Sequence, residues 1–210
     1  ARLWNKLNAA AKFTVPVRGG FDGVNIQDRN RERLNNRAVK DGAATGSFGE
    51  SNEVFAYNEA SRLMLDPSNT DIELFAAPGI TEPEVTNNVM QIIDDIQTSV
   101  YILDIQQEKS ETVNDVVDIF EARGLDTSYA AAYFPNLRVP DPDTGRSFEI
   151  SPSSAVFGAI ALNDRLGQPG FAAAGLRRGA LNNVQRTTFK LTAPDRDNLY
   201  DANINPITSI

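Results

Sequence analysis

The chain contains neither cysteine nor histidine. The first absence excludes disulfides, thiolate metal sites and a cysteine nucleophile, and suits a reducing compartment. The second removes the commonest general base, the commonest zinc ligand and the usual partner of a nucleophilic serine. Any catalysis would have to rest on Asp and Glu. No apolar run approaches the ~20 residues of a membrane span, and the start, Ala1 to Leu7, lacks the apolar stretch of a signal peptide. Positive charge is also scarce: a formal net charge of −8 repels a phosphate backbone, so neither nucleic acid nor membrane is expected as a partner. Gly19, Gly20 and Gly23 do not match the dinucleotide fingerprint, and no phosphate loop, nucleophile elbow or Ser with Lys three residues later occurs. No cofactor is expected, and no enzyme.

What is present is an ordinary globular composition. Hydrophobic residues make up 41% and charged residues 23%, which argues against wholesale disorder and against a fibrous repeat. A chain of 210 residues can form a single domain over 1–210 and bury roughly 70% of its unfolded surface. It begins without Met and stops shortly after Pro206, at Ile210, which reads as a piece cut from a longer chain.

Local patterns divide the chain into alternating elements. Lys12 to Val17 alternates like a strand, and the glycine-rich Arg18 to Gly23 follows as a turn. Residues 25–49, with Arg29, Arg31, Arg33, Arg37 and Lys40, are expected as an exposed loop. From Glu50 to Leu65, Val54, Tyr57, Ala60, Leu63 and Met64 recur at helical spacing, with Ser51 as N-cap. The nearly continuous apolar run Ile72 to Ile80 reads as a strand buried on both faces. Thr81 is expected to cap a helix whose buried stripe is Val85, Val89, Ile92, Ile93 and Ile96. Another strand, Ser99 to Ile105, precedes a helix over Thr112 to Arg123 with Val113, Val116, Val117 and Phe120 inward and Gly124 as its stop. A strand over Tyr129 to Phe134 ends at Pro135.

This strand and helix alternation with short links implies parallel crossovers. The expected fold class is α/β, a mainly parallel or mixed sheet flanked by helices, with short strands and turns at both ends. A helix from Ser153 carries Val156, Ile160 and Leu162, and its small-residue run SSAVFGAIAL is expected to bring Gly158 close against the sheet. Thr187 to Ala193 reads as a strand, followed by a capped turn at Pro194 and Asp195.

Three groups of carboxylates could carry chemistry. Asp104 ends an apolar strand, where ligands of parallel sheets often bind, and the alternative to a structural role is a carboxylate-dependent metal-binding α/β enzyme built on it. A phosphotransferase would want an acid or hydroxyl two residues on, but Gln106 stands there, so a solvated or capping carboxylate is favoured. Asp141 to Gly145, DPDTG, is similar to a calcium loop, yet its glycine comes one residue early and a third ligand is missing, so a tight turn between strands is preferred. Asp115, Asp118 and Glu121 share one helical face, which a solvated surface explains as well as a cation.

Several residues in order carry a family resemblance: Tyr133, Phe134 and Pro135 as an aromatic strand running into proline, Pro152 and Ser153 opening a small-residue helix with Gly158, then Asp164 and Gly167. Further on come Phe171 to Gly179, ending in Arg178 and Gly179, and the closing Ile204, Asn205 and Pro206. This pattern resembles the contractile phage tail sheath family, most specifically over Ser128 to Leu181. Phe171 and Ala173 stand where the family usually has Trp and Pro, and an Arg-Asp pair is missing before Ser99, which suggests a divergent member.

The resemblance implies a structural role and no catalytic, cofactor-binding or metal residues. It implies a full-length parent that forms stacked hexameric rings of sheath subunits around a tail tube protein, bounded by baseplate and tail terminator proteins. Such a parent would assemble in the host cytoplasm, reside in the virion tail, and contract to drive the tube through the host envelope for genome ejection. Bacteriocin and secretion sheaths share the pattern. Family members continue into a C-terminal domain with interlocking arms, so this chain, lacking them, is expected to be a monomer in dilute solution.

Overall fold

The computed structural model describes residues 52–106, 112–167 and 170–209. The strand expected at Lys12 to Val17, the glycine-rich turn, the loop over 25–49 and the cap at Ser51 lie outside the described residues.

Helix α1 (Asn52–Met64) turns the expected Val54 and Tyr57 inward, but its stripe then departs from the one expected. Val54, Ser61 and Leu65 are buried and Tyr57 is half-buried, whereas Ala60, Leu63 and Met64 face outward. The inward positions advance by three and four residues, and Leu63 falls about half a turn away from them. Ser61 is satisfied by donating its hydroxyl to the Tyr57 carbonyl at 2.8 Å.

The run expected as a doubly buried strand contains only a two-residue strand, β1 (Leu74–Phe75). Its continuation is bent away by a turn in which Ile80 N–H donates to the Ala77 carbonyl and Gly79 adopts φ +80°, leaving Pro78 exposed. Helix α2 (Pro83–Ile96) is preceded by Glu82 as N-cap in place of Thr81. The reason is local: the residue before proline is driven to extended backbone, so Glu82 cannot be helical and Pro83 becomes the first helical residue. Val85, Val89 and Ile93 form the buried stripe as expected, joined by Thr86 and Met90, with Ile92 and Ile96 at its margin.

Strand β2 (Val100–Asp104), helix α3 (Val113–Glu121) and strand β3 (Ala130–Phe134) complete two crossovers. Thr112 caps α3, its hydroxyl accepting from Asp115 N–H while the Asp115 carboxylate accepts from Thr112 N–H. The parallel sheet runs β1-β2-β3-β7, where β7 (Ile204–Pro206) is a strand the sequence pattern did not reveal. Tyr101 pairs with Ala130, and Ala132 with Ile204.

Side chains alternate across this sheet. Tyr101, Leu103 and Ala132 join Val54, Val85, Val89, Val113, Val116 and Leu199 in the main core, so α1, α2, α3 and the last helix cover one face. Ile102, directed the other way, is buried outside that cluster, and α4 (Pro152–Leu166) packs on β2 and β3 there.

Leaving β3, the chain enters a second, antiparallel sheet ordered β5-β4-β6, made of β4 (Leu137–Pro140), β5 (Ser147–Ile150) and β6 (Arg186–Thr187). DPDTG is the tight turn between β4 and β5, with Gly145 at φ +66°. The strand expected over Thr187 to Ala193 reduces to the end of β6, and the capped turn at Pro194 and Asp195 is the first turn of a helix.

Helix α4 corrects the expectation for Gly158. Ser153, Val156, Ala159 and Asn163 form its buried stripe, while Gly158 is exposed and a Cβ there would meet nothing within 4 Å. Small residues on both sides of α4 made the stripe ambiguous, and packing selected the one containing Ser153. A four-residue helix, α5 (Gly175–Arg178), follows, and α6 (Ala193–Asp201) leads into β7. Among the described residues, no helix is long and apolar enough to cross a membrane.

Candidate functional site

The C-terminal end of a parallel sheet is where α/β proteins usually hold ligands, because loops diverge there and helix N-termini offer N–H groups. Asp104, the last residue of β2, occupies that place and is buried at 3% exposure. Its Oδ1 accepts from Ser153 N–H at 2.9 Å, and its Oδ2 accepts from the Ser153 hydroxyl at 2.6 Å and from Gly79 N–H at 3.1 Å. Ser151 adds a further hydroxyl contact.

Each partner is delivered by local structure. Pro152 is the first residue of α4 and has no N–H, so Ser153 supplies the first free backbone donor of that helix. The preceding Ser151 is the N-cap residue but makes no side-chain cap bond to the helix backbone. Asp104 performs that duty from another element, placing its carboxylate at the positive end of the α4 dipole. Gly79 can reach it because its left-handed φ turns the loop after β1 inward.

Two effects on the Asp104 carboxyl oppose each other. Burial pushes its pKa above the usual carboxylate range, and the bonds from Ser153, Gly79 and Ser151 pull it down, with burial the larger. Chemically the surroundings are an anion receptor: two backbone N–H groups and hydroxyls converge on the carboxylate. A cation would meet donors where it needs lone pairs. Asp104 does not line the groove beside Met90 and Asp94 or the one beside Leu65 and Pro67.

A second buried polar group lies on the other face of β2, in the main core. The Tyr101 hydroxyl has no hydrogen-bond partner although the residue is 1% exposed, and burial, followed by the Asp104 charge, raises its pKa strongly. Arg123 reaches across from the end of α3, donating to Thr86 Oγ1 and Asn87 Oδ1 at 2.7 Å each, which fastens α3 to α2. Burial lowers the Arg123 pKa and its Nε is unpartnered. Residue pattern alone gave no signal for Tyr101, Arg123 or Gly79, because their partners are distant in sequence.

Asp141 and Asp115 are engaged locally, and Asp118 and Glu121 are exposed. Asp141 accepts from Asp143 N–H at 3.0 Å and from the Thr144 hydroxyl at 2.5 Å, so its oxygens hold their own turn. Asp115 is the capping-box residue of α3, and its bonds from Thr112 lower its pKa. Among the described residues no three His, Cys, Asp or Glu side chains are grouped to hold a metal ion. A groove of about 240 Å³ between α2 and the chain after α3 is lined by Met90, Asp94, Asp95, Leu125 and Asp126 among others.

No protein-family model matches the chain, and no curated protein matches it. The residues of the family resemblance therefore stand on their own geometry, and they gather in three places. Pro152 and Ser153 meet Asp104. Pro135 is buried beside the end of β7, where Pro206 pairs with Phe134 and the Asn205 side chain donates to the Ala132 carbonyl at 3.0 Å. Asp164, Gly167 and Gly179 lie at the far end of α4 and beyond it. A Cβ at Gly179 would come within 2.9 Å of the Ala173 carbonyl oxygen, and one at Gly167 within 3.2 Å of that of Asn163. Arg178 stacks over the Phe171 ring at 4.7 Å. Gly158 belongs to none of these places.

Proposed function

We propose that this chain is a structural subunit of a contractile phage tail sheath. It polymerises with other sheath subunits around a tail tube protein, between baseplate and terminator proteins, and its contraction drives the tube through the host cell envelope. The observation that carries the reading is the use made of the strand ends. There, most of the resembling residues that meet the sheet act as fasteners: Ser153 on Asp104, Asn205 on β3, Pro206 beside Phe134. The site that an α/β enzyme would keep open for a ligand is filled by the protein's own carboxylate and helix.

A framework tied in this way suits a part that must move as a rigid body. Contraction of a lattice releases energy stored in subunit packing and needs no nucleotide, only two arrangements of unchanged domains separated by a barrier. The gene product that carries this chain, purified and concentrated with and without its tube protein, is expected to form hollow sixfold tubes under negative-stain electron microscopy. Dispersed particles under every assembly condition, together with a stoichiometric metal site abolished by Asp104→Asn, would overturn the reading in favour of an enzyme.

A further inference from the structure

Of the four helices on the main-core face of the parallel sheet, α2 and α3, bridged by Arg123, carry Glu84, Asp94, Asp95, Asp115, Asp118 and Glu121 and no Lys or Arg of their own, while Arg62 and Arg196 stand on the flanking α1 and α6. Asp94, Asp95 and Glu121 stand in the last turns of their helices, where the backbone dipole already presents negative charge and basic residues are normally favoured. The Asp94 carboxylate accepts from the Thr127 hydroxyl, but among the described residues no such bond reaches Asp95 or Glu121, so local stability does not account for those two. Ile119 is 43% exposed on α3, and at about 100° per residue it lies ~40° around the helix from Asp115, on the side away from Asp118.

The opposite layer is more basic. Arg165 stands in the last turn of α4 beside Asp164, and α5 presents Arg177 and Arg178 with Leu176, which is 74% exposed, as is Leu166. The α5 segment is tied to α4, because Asn163 donates to the Phe171 carbonyl at 2.6 Å and Arg178 lies on the Phe171 ring. Exposed leucines with arginines beside them have the composition of a protein contact.

We propose that the α2–α3 face of one copy docks against the α4–α5 face of a second copy, with Ile119 facing the region of Leu176 and the carboxylates facing Arg165, Arg177 and Arg178. The two patches lie on opposite sides of one sheet, so the contact is heterologous, and repetition gives a ring or a helical row instead of a closed two-fold dimer. Like faces repel and unlike faces attract, which fixes the direction of addition. Each contact is small and screened by salt, so single copies remain separate in dilute solution and associate when held at high local concentration. The contact rests on the sheath reading for its setting and not for its geometry.

The absence of cysteine permits a direct test. Ile119→Cys and Leu176→Cys place one thiol on each face at exposed positions, and circular dichroism checks the fold of each. Under mild oxidation, an equal mixture is expected to form the mixed disulfide at least about tenfold faster than either variant forms its own dimer. Adding Arg177→Glu and Arg178→Glu to the Leu176→Cys chain, or raising salt from ~10 mM to ~150 mM, where the Debye length falls from ~30 Å to ~8 Å, is expected to remove that preference. Equal rates for the three pairings, or a preference indifferent to charge reversal, would overturn the contact. If tubes form while the thiols show no preference, the sheath reading stands and the contact lies elsewhere. If the preference appears without tubes, the contact stands and the sheath reading falls.

Discussion

Replacing Asp104 by Asn separates the two effects that meet at this carboxylate. The side chain is buried and both oxygens receive backbone N–H donors, Ser153 at 2.9 Å on one and Gly79 at 3.1 Å on the other. An asparagine of the same shape offers one oxygen and one NH₂, so one of these N–H groups must face another donor. A buried donor left without a partner costs about 1–3 kcal/mol, and for a domain of this size each kcal/mol lowers Tm by about 2–4 °C. The removed charge returns part of its desolvation penalty, so about 1–2 kcal/mol, or roughly 2–8 °C, is expected near neutral pH. Asp104→Ala, which orphans both donors, is expected to cost more, about 2–4 kcal/mol.

The pH dependence supplies the sharper check. Burial raises the folded pKa of Asp104 above its unfolded value, so in the interval between them the folded state binds more protons and stability falls as pH rises. The contribution is fully present below the unfolded value, near ~3.9, and is lost as pH passes upward through the raised folded pKa. The Asn variant lacks this dependence. The difference in stability between the two proteins, measured by urea unfolding at a series of pH values, is therefore expected to be largest at the acidic end of the accessible range and to shrink toward neutrality. A difference that grows with pH would mean that the donors outweigh burial and hold the carboxylate below its ordinary range, and the account given for this site would be refuted.

Three further substitutions probe other parts of the fold. Tyr101→Phe removes a buried hydroxyl with no partner, so a gain of about 1 kcal/mol in thermal unfolding is expected, and a loss would reveal a bond that the hydroxyl makes. Gly158→Ala adds a methyl group to open space on an exposed helical position and is expected to stabilise by about 0.5–1 kcal/mol; a lower Tm would mean that this side of α4 is packed. Gly179→Ala forces a Cβ to 2.9 Å from the Ala173 carbonyl and from Ala174 Cα, which is expected to cost about 1–3 kcal/mol or loosen the segment locally, read by limited proteolysis after Arg177 and Arg178.

The sequence alone determined the α/β class, the order of β1, α2, β2, α3 and β3, and the inward stripes of α2 and α3, because period and caps are local and these helices alternate strongly. The DPDTG turn was legible for the same reason, since Asp141 and Gly145 act on their own backbone. Where local signals were even, tertiary packing decided. Helix α4 has small residues on more than one side, and only the fit against β2 and β3 turned Gly158 outward and Ser153 inward. Strand β7 is three residues long and exists because β3 offers it a parallel edge. Asp104 could be marked from the chain as a strand-end carboxylate. That it caps a helix beginning 48 residues later, and meets a glycine 25 residues earlier, is a consequence of burial: a charge enclosed there must collect donors from whatever elements the fold brings within reach.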